Sequence, residues 1–387
     1  MTTVLLSVGD ASGDVYAADF VRELNARIPG VRFLGLGGAE MEKAGVELVV
    51  NQRDVAVSGL FELIPDLHRI VRAWRLLTGA LRSARPDLVV LVDSSGFNLP
   101  FARRAKRQGC PTLYYVSPQV WAWRTGRIRK LAQRVNQLAV IFPFEQDVYA
   151  GSGVEVEYVG HPLVEKLRAV ATELDRETAR ERLELPADAR IVALLPGSRG
   201  SEMRHLLPLQ LEVARVLHAR DPRIHFAMPR AASIDRETLE AGIAEASLPS
   251  MLSIQIIDGQ SQALLRAADV ALLKPGTSTL EATLLDCPIV VAARTNRFTA
   301  WLLRRLVRVE TLTMPNLIAG EAIVPEFLQD EAEPDAVANA VLTLLEGPAR
   351  EAQRDRLAGV RETLSKGGAA KRAAELAAEM LGDRLPA

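Results

Sequence analysis

Three segments in the first half of the chain carry side chains that could do chemistry, and each follows an apolar run. The first, Gly9-Asp10-Ala11-Ser12-Gly13-Asp14, combines glycines with acidic and hydroxyl side chains. Glycine lets a backbone approach a ligand closely, and acids suit sugar hydroxyls better than a pyrophosphate. We predict that Asp10, Ser12 and Asp14 bind a hydroxyl-rich substrate, although a tight structural turn explains the segment equally well.

The second segment, Val92–Asn98, places Asp93 at the C-terminal end of an apolar strand candidate. Ligands of open α/β sheets bind at that end of the strands. An acid there is a candidate base or hydroxyl acceptor. The equal alternative is that Asp93 caps the following helix or pairs with a nearby arginine.

The third segment, Tyr115–Arg124, holds two tryptophans in a chain with only 5% aromatic residues. We predict that Trp121, Trp123 and Arg124 contact a sugar or an acyl chain, with burial in the core as the alternative. His161 follows the last strand of this half and is a further substrate-binding candidate. A lone histidine is more often a structural hydrogen-bonding residue.

Two loops in the second half have the composition of phosphate-binding loops. In Leu195–Gly200, Gly197 permits close approach, Ser198 can donate a hydrogen bond and Arg199 can grip a phosphate with two N–H groups. In Lys274–Ala282, the hydroxyls follow a glycine at a helix start, where free N–H groups bind anions.

The residues predicted to hold a nucleotide diphosphate in this second loop are Gly276, Thr277 and Ser278, with Glu281 one turn later accepting ribose hydroxyls. Five histidines at unrelated spacings predict no metal site, and we expect no metal or other cofactor. The nucleotide is therefore expected in the second half of the chain and an acceptor in the first.

Short apolar runs alternate with helical patterns, which is typical of right-handed βαβ units and parallel sheets. The predicted strands are Val4–Val8, Arg32–Leu36, Leu88–Val92, Thr112–Val116 and Gln137–Phe142, then Ile191–Leu195, Ile224–Met228, Ser253–Ile257, Val270–Leu273 and Ile289–Ala292. The fold class is α/β, with two doubly wound, Rossmann-like domains facing a central crevice. We place an N-terminal acceptor domain at 1–170, a nucleotide domain at 171–345 and a helical tail at 346–387 that packs back on the first domain.

The chain has 387 residues and a net charge of −1, in a mix of 48% hydrophobic and 25% charged residues that excludes disordered and fibrous classes. Near-neutrality also argues against a nucleic-acid binder. The charge is unevenly spread, because residues 69–134 hold 14 Lys or Arg and only two acids.

Part of this basic region has helical periodicity. Apolar residues recur at Leu63, Leu67, Val71 and Trp74, interleaved with Arg69, Arg72 and Arg75. Such a helix suits contact with an anionic membrane surface. A core-facing helix with an arginine outer face is the equal alternative.

The two cysteines predict small core residues in a reducing cytosol, and no signal peptide or membrane-spanning run is apparent. The expected location is therefore cytoplasmic, peripheral on the inner membrane. A homodimer is left open as an assembly.

From Gly9 to about Gln329 the chain resembles lipid-A-disaccharide synthases, a bacterial family of GT-B glycosyltransferases. The segments that carry the resemblance are Ala11-Ser12-Gly13-Asp14, Ser117-Pro118, Val120-Trp121-Ala122-Trp123-Arg124, Pro143-Phe144-Glu145, Gly160-His161-Pro162, Leu194–Arg199, Gly276-Thr277, Leu280-Glu281-Ala282, Pro315-Asn316-Leu317 and Ala319-Gly320. Their order and spacing together are highly specific.

The resemblance implies an inverting transfer from UDP-2,3-diacylglucosamine to the 6-hydroxyl of 2,3-diacylglucosamine 1-phosphate, giving a β-1,6-linked disaccharide 1-phosphate and UDP. It implies that Asp93 is the base, that Arg199 stabilises the diphosphate and that Asn316 is catalytic. Relatives usually have Glu at position 10 and Ala-Pro-Asp where this chain has Ser94-Ser95-Gly96. A second carboxylate is thus missing after Asp93, and we expect Asp93 to act alone.

Two other functions remain open on the sequence. One is another UDP-sugar enzyme of the same fold, such as a 2-epimerase or a transferase with a soluble acceptor, which would need no membrane-facing helix. The other is a membrane-binding scaffold with a degenerate nucleotide site, for which Ser94–Gly96 is the only support.

Overall fold

The computed structural model describes residues 2–54, 63–118, 126–295 and 311–382, without the side chains of residues 54, 63–67 and 201. Contacts divide the chain into two compact units, Met1–Pro162 with Lys366–Ala387, and Leu163–Ser365. These limits differ from the predicted boundaries at 170 and 345, because the chain leaves the first unit at Pro162 and returns to it at Lys366.

The first unit is built on a seven-stranded parallel sheet in the order β3-β2-β1-β4-β5-β6-β7. Its strands are β1 (Thr3–Val8), β2 (Arg32–Gly37), β3 (Glu47–Asn51), β4 (Leu88–Val92), β5 (Thr112–Tyr115), β6 (Gln137–Val140) and β7 (Glu155–Tyr158). Its helices are α1 (Ala11–Arg27), α2 (Ala39–Lys43), α3 (Leu63–Ala84), α4 (Ser95–Arg107), α5 (Gly126–Ala132) and α6 (Glu145–Tyr149). The strand order reverses between β1 and β4, so the loops after these two strands meet at the switch point where such sheets bind ligands.

The second unit has a six-stranded parallel sheet in the order β10-β9-β8-β11-β12-β13. Its strands are β8 (Arg190–Leu195), β9 (Ile224–Arg230), β10 (Ile254–Asp258), β11 (Val270–Leu273), β12 (Ile289–Ala293) and β13 (Glu326–Leu328). Its helices are α7 (Pro162–Glu173), α8 (Arg176–Arg182), α9 (Gly200–Arg220), α10 (Arg236–Glu245), α11 (Ser261–Ala267), α12 (Thr277–Leu284), α13 (Met314–Ala319), α14 (Pro334–Leu345) and α15 (Pro348–Thr363). Here the switch point lies between β8 and β11.

Central strands form where apolar residues are continuous, because helices cover both faces of a parallel sheet. All residues of β1 and β4 are buried. The predicted α/β class with two parallel sheets is confirmed.

Three strands escaped prediction, namely β3, β7 and β13, and all three lie at sheet edges. Edge strands are partly solvated and therefore carry polar residues. In β7 the sequence Glu-Val-Glu-Tyr is not buried at any position. The continuous apolar run that marks a central strand is absent there.

The helix predicted to contact a membrane is α3. Ala73, Leu77 and Leu81 are buried in the core of the first unit. Trp74 packs edge-on against Phe97 and Phe101 of α4, with ring centroids 5.5 and 6.0 Å away. The structure therefore packs Trp74 partly against the core of the first unit, and its contact with a membrane stays a prediction.

The outer face of α3 is basic. Arg69, Arg72 and Arg75 are exposed, and Val71 keeps 39% of its surface accessible. The side chains of Leu63 and Leu67 lie outside the described part of the chain. No helix among the described residues is long and apolar enough to cross a membrane.

The first unit is completed by the last helix, α16 (Ala369–Gly382), which packs along α1. Arg372 of α16 forms an ion pair with Glu157 of β7, and Arg27 of α1 pairs with Glu375. α16 also buries Ala373, Leu376 and Ala377.

Candidate active site

The turn after β4 holds Asp93 in an unusual backbone conformation. Asp93 and Ser94 both have positive φ, +46° and +42°, a region that non-glycine residues seldom occupy. Tyr114 donates its hydroxyl hydrogen to the Asp93 carbonyl, and Asn98 Nδ2 donates to the same oxygen at 2.9 Å. Consecutive residues in such a conformation need surrounding bonds to hold them, and they cluster at functional sites.

Asn98 is the anchor of this turn. The side chain is fully buried, and its Nδ2 donates to the carbonyls of Ser7 and Val92 as well. Its Oδ1 accepts from the Ser7 hydroxyl at 2.6 Å. One amide thus ties the end of β1 to the end of β4 and fixes the direction of Asp93.

Asp10 lies beside Asp93 and is hydrogen-bonded to it through the side chains. The close approach of the two loops requires a glycine at position 9, since a Cβ there would overlap the Ser94 side chain. Asp10 is also the N-cap of α1, where its Oδ1 accepts from Gly13 N at 2.6 Å.

The Asp93 side chain is half-buried, and this partial burial, followed by the charge and hydrogen bond of Asp10, raises the pKa of its carboxyl from 3.8 to about 7. Asp10 thus supplies a carboxyl beside Asp93, and the expectation that Asp93 acts alone as the base stays a prediction. Asp10 comes from a different loop, which is why the segment after Asp93 does not reveal it.

Asp14 has a structural role. Its buried carboxylate accepts from the backbone N–H groups of Gly38 and Met41 with one oxygen and of Glu40 with the other. These bonds cap α2 and give the residue a structural role, while its assignment to the substrate stays a prediction. Ser12 is exposed and donates to Asp10 Oδ1 at 3.3 Å.

His161 is buried at the end of the first unit, with Phe142 and Tyr16 at ring-centroid distances of 5.2 and 6.5 Å. Burial lowers the pKa of its imidazole to about 3. The ring is therefore neutral at physiological pH and can orient a group but not carry a proton. Trp121, Trp123 and Arg124 lie outside the described residues.

In the second unit the loop after β8 closes onto a residue that the sequence reasoning missed. Glu202, in the first turn of α9, accepts from Ser198 N at 3.0 Å and lies 3.3 Å from Lys274 Nζ. Gly197 has φ +127°, and any Cβ there would overlap the Glu202 carboxylate. The Arg199 side chain is 65% exposed, and its Nη1 lies 3.8 Å from Glu202 Oε1.

Glu202 therefore links the loop after β8 to the loop after β11, which places Gly197, Ser198 and Arg199 near Lys274. The contact differs from a capping box, because the N-cap of α9 is Arg199 and Glu202 accepts from the residue before it. The sequence therefore lacks the Ser/Thr-x-x-Glu signature that would have identified Glu202.

The second loop leads into α12. Gly276 has φ +147° and precedes the helix, where Thr277 is exposed and Ser278 half-buried. Thr279 is the residue that holds the loop, since its hydroxyl donates to the Gly276 carbonyl at 2.8 Å. Burial raises the pKa of Glu281, which Lys166 partly offsets.

Asn316 is buried and hydrogen-bonded within the chain. Its Nδ2 donates to the Val324 carbonyl and to Glu326, and its Oδ1 accepts from the N–H groups of Ile323 and Val324. A buried amide with these four hydrogen bonds holds the surrounding backbone in position. Its assignment as a catalytic residue stays a prediction.

A family model described as lipid-A-disaccharide synthetase matches residues 4–380. The chain belongs to the lipid-A-disaccharide synthase family. Relatives named lipid-A-disaccharide synthase are 38% identical in Syntrophus aciditrophicus and 40% identical in Myxococcus xanthus, each over 98% of this chain and 97% of the relative. A member of this family is an enzyme, a glycosyltransferase of lipid A biosynthesis.

Solved structures share the fold at low sequence identity. The UDP-GlcNAc 2-epimerase of Neisseria meningitidis bound to UDP-GlcNAc aligns with a TM-score of 0.67 and 14% identity over 98% of this chain and all of that one. The calicheamicin glycosyltransferase aligns with a TM-score of 0.61 and 17% identity over all of this chain and 99% of that one. The GT-B fold implied by the resemblance is confirmed.

Proposed function

We propose that this protein is an inverting transferase that joins UDP-2,3-diacylglucosamine to 2,3-diacylglucosamine 1-phosphate. Family membership supports the disaccharide synthesis, and the Asp93 turn supports the inverting chemistry. The observation that carries the proposal is a half-buried carboxyl with a pKa of about 7 at the switch point of the first sheet.

In the proposed reaction, the acceptor 6-hydroxyl gives its proton to the Asp93 carboxylate while its oxygen bonds to the anomeric carbon of the donor. The bond from that carbon to the diphosphate breaks on the opposite face, and UDP leaves with the electron pair. A base with a pKa near the working pH is well matched to this step. Asp10 accepts the hydrogen bond that keeps the protonated Asp93 in place.

The second unit offers groups for the leaving diphosphate. Arg199 and Lys274 are cationic, Ser198 and Ser278 carry hydroxyls, and the N-terminus of α12 presents free N–H groups. Glu281 is proposed to accept a ribose hydroxyl. No metal or other cofactor takes part in this proposal.

The remaining assignments stay proposals. The substrate contacts are Ser12, Asp14, Trp121, Trp123, Arg124 and His161, the further diphosphate contacts are Gly197, Gly276 and Thr277, and Asn316 is a further catalytic residue. The membrane contact is made through α3, with Leu63, Leu67, Val71, Trp74, Arg69, Arg72 and Arg75. The location is the cytoplasmic face of the inner membrane, and the assembly is a homodimer.

The test is incubation of the protein with both diacyl sugars, followed by mass spectrometry of the lipid phase and an assay of released UDP. We expect a tetraacyl disaccharide 1-phosphate from the wild type, and a loss of at least about a hundredfold in rate for Asp93→Asn. Arg199→Ala should raise the Kd for UDP, while Arg204→Ala, another arginine of the same helix, should not. Consumption of donor without disaccharide would overturn the proposal.

A further inference from the structure

A second cationic site lies in the first unit, on the outer side of α4. A pocket of about 330 Å³ is lined by Trp74, Pro100, Arg103, Arg104, Arg107 and Arg134. The pocket thus combines four guanidinium groups with two apolar walls and contains no carboxylate.

These arginines differ from others in the chain in having no acidic partner. Arg180 and Arg350 both pair with Asp269, and Arg372 pairs with Glu157. Within the described ranges, no carboxylate lies in ion-pair distance of any of the four pocket arginines, and Arg134 donates to the Leu99 carbonyl. Burial and the neighbouring charge of Arg103 lower the pKa of Arg134.

A helix C-terminus favours cations, which accounts for basic residues at the end of α4. It does not account for Arg134, which follows α5 and converges on the same pocket. The guanidinium groups come from two segments, face the same pocket and repel one another there. A bound anion stabilises such an arrangement. Their planar donor geometry suits phosphate.

The pocket is separate from Asp93. Arg103 and Arg107 come eight and twelve residues after Ser95, where α4 begins. At 1.5 Å per residue this places them about 12 to 18 Å along the helix from the Asp93 turn. Val71 is exposed and lies on the same side of α3 as Trp74, three positions before it, where it provides apolar surface.

We propose that this pocket binds the phosphate of an anionic phospholipid headgroup and so fixes the first unit on the bilayer surface. The inference rests on the proposed membrane contact and gives it a defined site. Charge complementarity selects an anion, and the apolar walls with the exposed Val71 of α3 favour one presented by a lipid.

The test is co-flotation of the full chain with phosphatidylcholine vesicles that contain or lack 30% phosphatidylglycerol. The pocket variant is Arg103→Gln with Arg107→Gln. The matched control is Lys106→Gln with Lys130→Gln, which removes the same charge from exposed positions of α4 and α5 outside the pocket. Both variants lose the same diffuse attraction to the anionic surface, and only the pocket variant also loses donors to the bound phosphate. We therefore expect the pocket variant to lose at least about fivefold more partitioning to the anionic vesicles than the control.

Equal losses in the two variants would mean that diffuse surface charge attracts the membrane, and would overturn the site. Inorganic phosphate provides a second arm. If 10 mM phosphate raises the Tm of the wild type but not of the pocket variant, while both proteins float equally with the anionic vesicles, the pocket takes a soluble anion and the lipid assignment falls. Transfer assayed in neutral detergent reports on the proposed function separately, because it needs no vesicle.

Discussion

Asp10→Asn is the substitution that isolates the interaction between the two carboxyls. Asparagine retains an oxygen that can accept from Gly13 N, so the cap of α1 is preserved. The negative charge beside Asp93 is removed, and the amide can donate to it. The pKa of Asp93 should therefore fall from about 7 towards its ordinary value, without reaching it, because burial is the larger cause and remains.

A fall of about one unit corresponds to about 1.4 kcal/mol. Since the base must be ionised to act, the fraction of active enzyme at pH 6 rises from about one tenth to about one half, and kcat/KM increases about fivefold relative to its plateau. At pH 8, where Asp93 is mostly ionised in both proteins, this ratio is nearly unchanged.

The assay is UDP release as a function of pH between 5 and 9. Asp19→Asn is the matched control, because it removes the same charge from the same helix at an exposed position paired with Arg22. The acid limb of the control should coincide with that of the wild type. If the acid limb of Asp10→Asn stays in place or moves to higher pH, Asp10 does not set the pKa of Asp93.

Three further predictions follow from single contacts. Asp93 binds a proton more tightly in the folded than in the unfolded protein, so the free energy of unfolding falls as pH rises from about 4 through about 7. At pH 8 the free energy of unfolding of Asp93→Asn should exceed that of the wild type by up to about 4 kcal/mol, and its Tm should be higher. At pH 4 the two proteins should have equal Tm values. Gly197→Ala should raise the Kd for UDP about tenfold or more by calorimetry because its Cβ displaces Glu202, whereas Gly200→Ala, with open space around its Cβ, should bind normally. Asn316→Ala should lower the free energy of unfolding by about 3 kcal/mol, since it leaves the N–H and the carbonyl of buried Val324 without these partners. Loss of activity with an unchanged Tm would instead support a catalytic role.

The central strands could be predicted because burial on both faces demands an uninterrupted apolar sequence. Of the four edge strands, only the apolar β10 was predicted, since β7 and β13, for example, are partly solvated and have the composition of loops. The environment of the apolar face of α3 could not be predicted either, because an amphipathic pattern does not reveal whether that face contacts a protein core or a lipid.

Site residues were predictable where one short segment contains the whole function, as in Gly197-Ser198-Arg199. They were not where two distant segments act together. Asp10 and Asp93 are 83 positions apart, and only the strand order brings their loops into contact. Asp14 and Asn316 have residue types suited to a ligand, and both accept hydrogen bonds from backbone N–H groups, which sequence alone does not report.

The packing of α16 on α1 has a consequence for synthesis of the chain. The intervening unit spans residues 163–365, and at about 5 to 20 residues per second a ribosome takes roughly 10 to 40 s to translate it. During that time α1 has left the ribosome without the helix that covers it. The unit that is translated first is thus completed last, and its apolar helix surface is open to chaperones or to a second nascent chain throughout that interval.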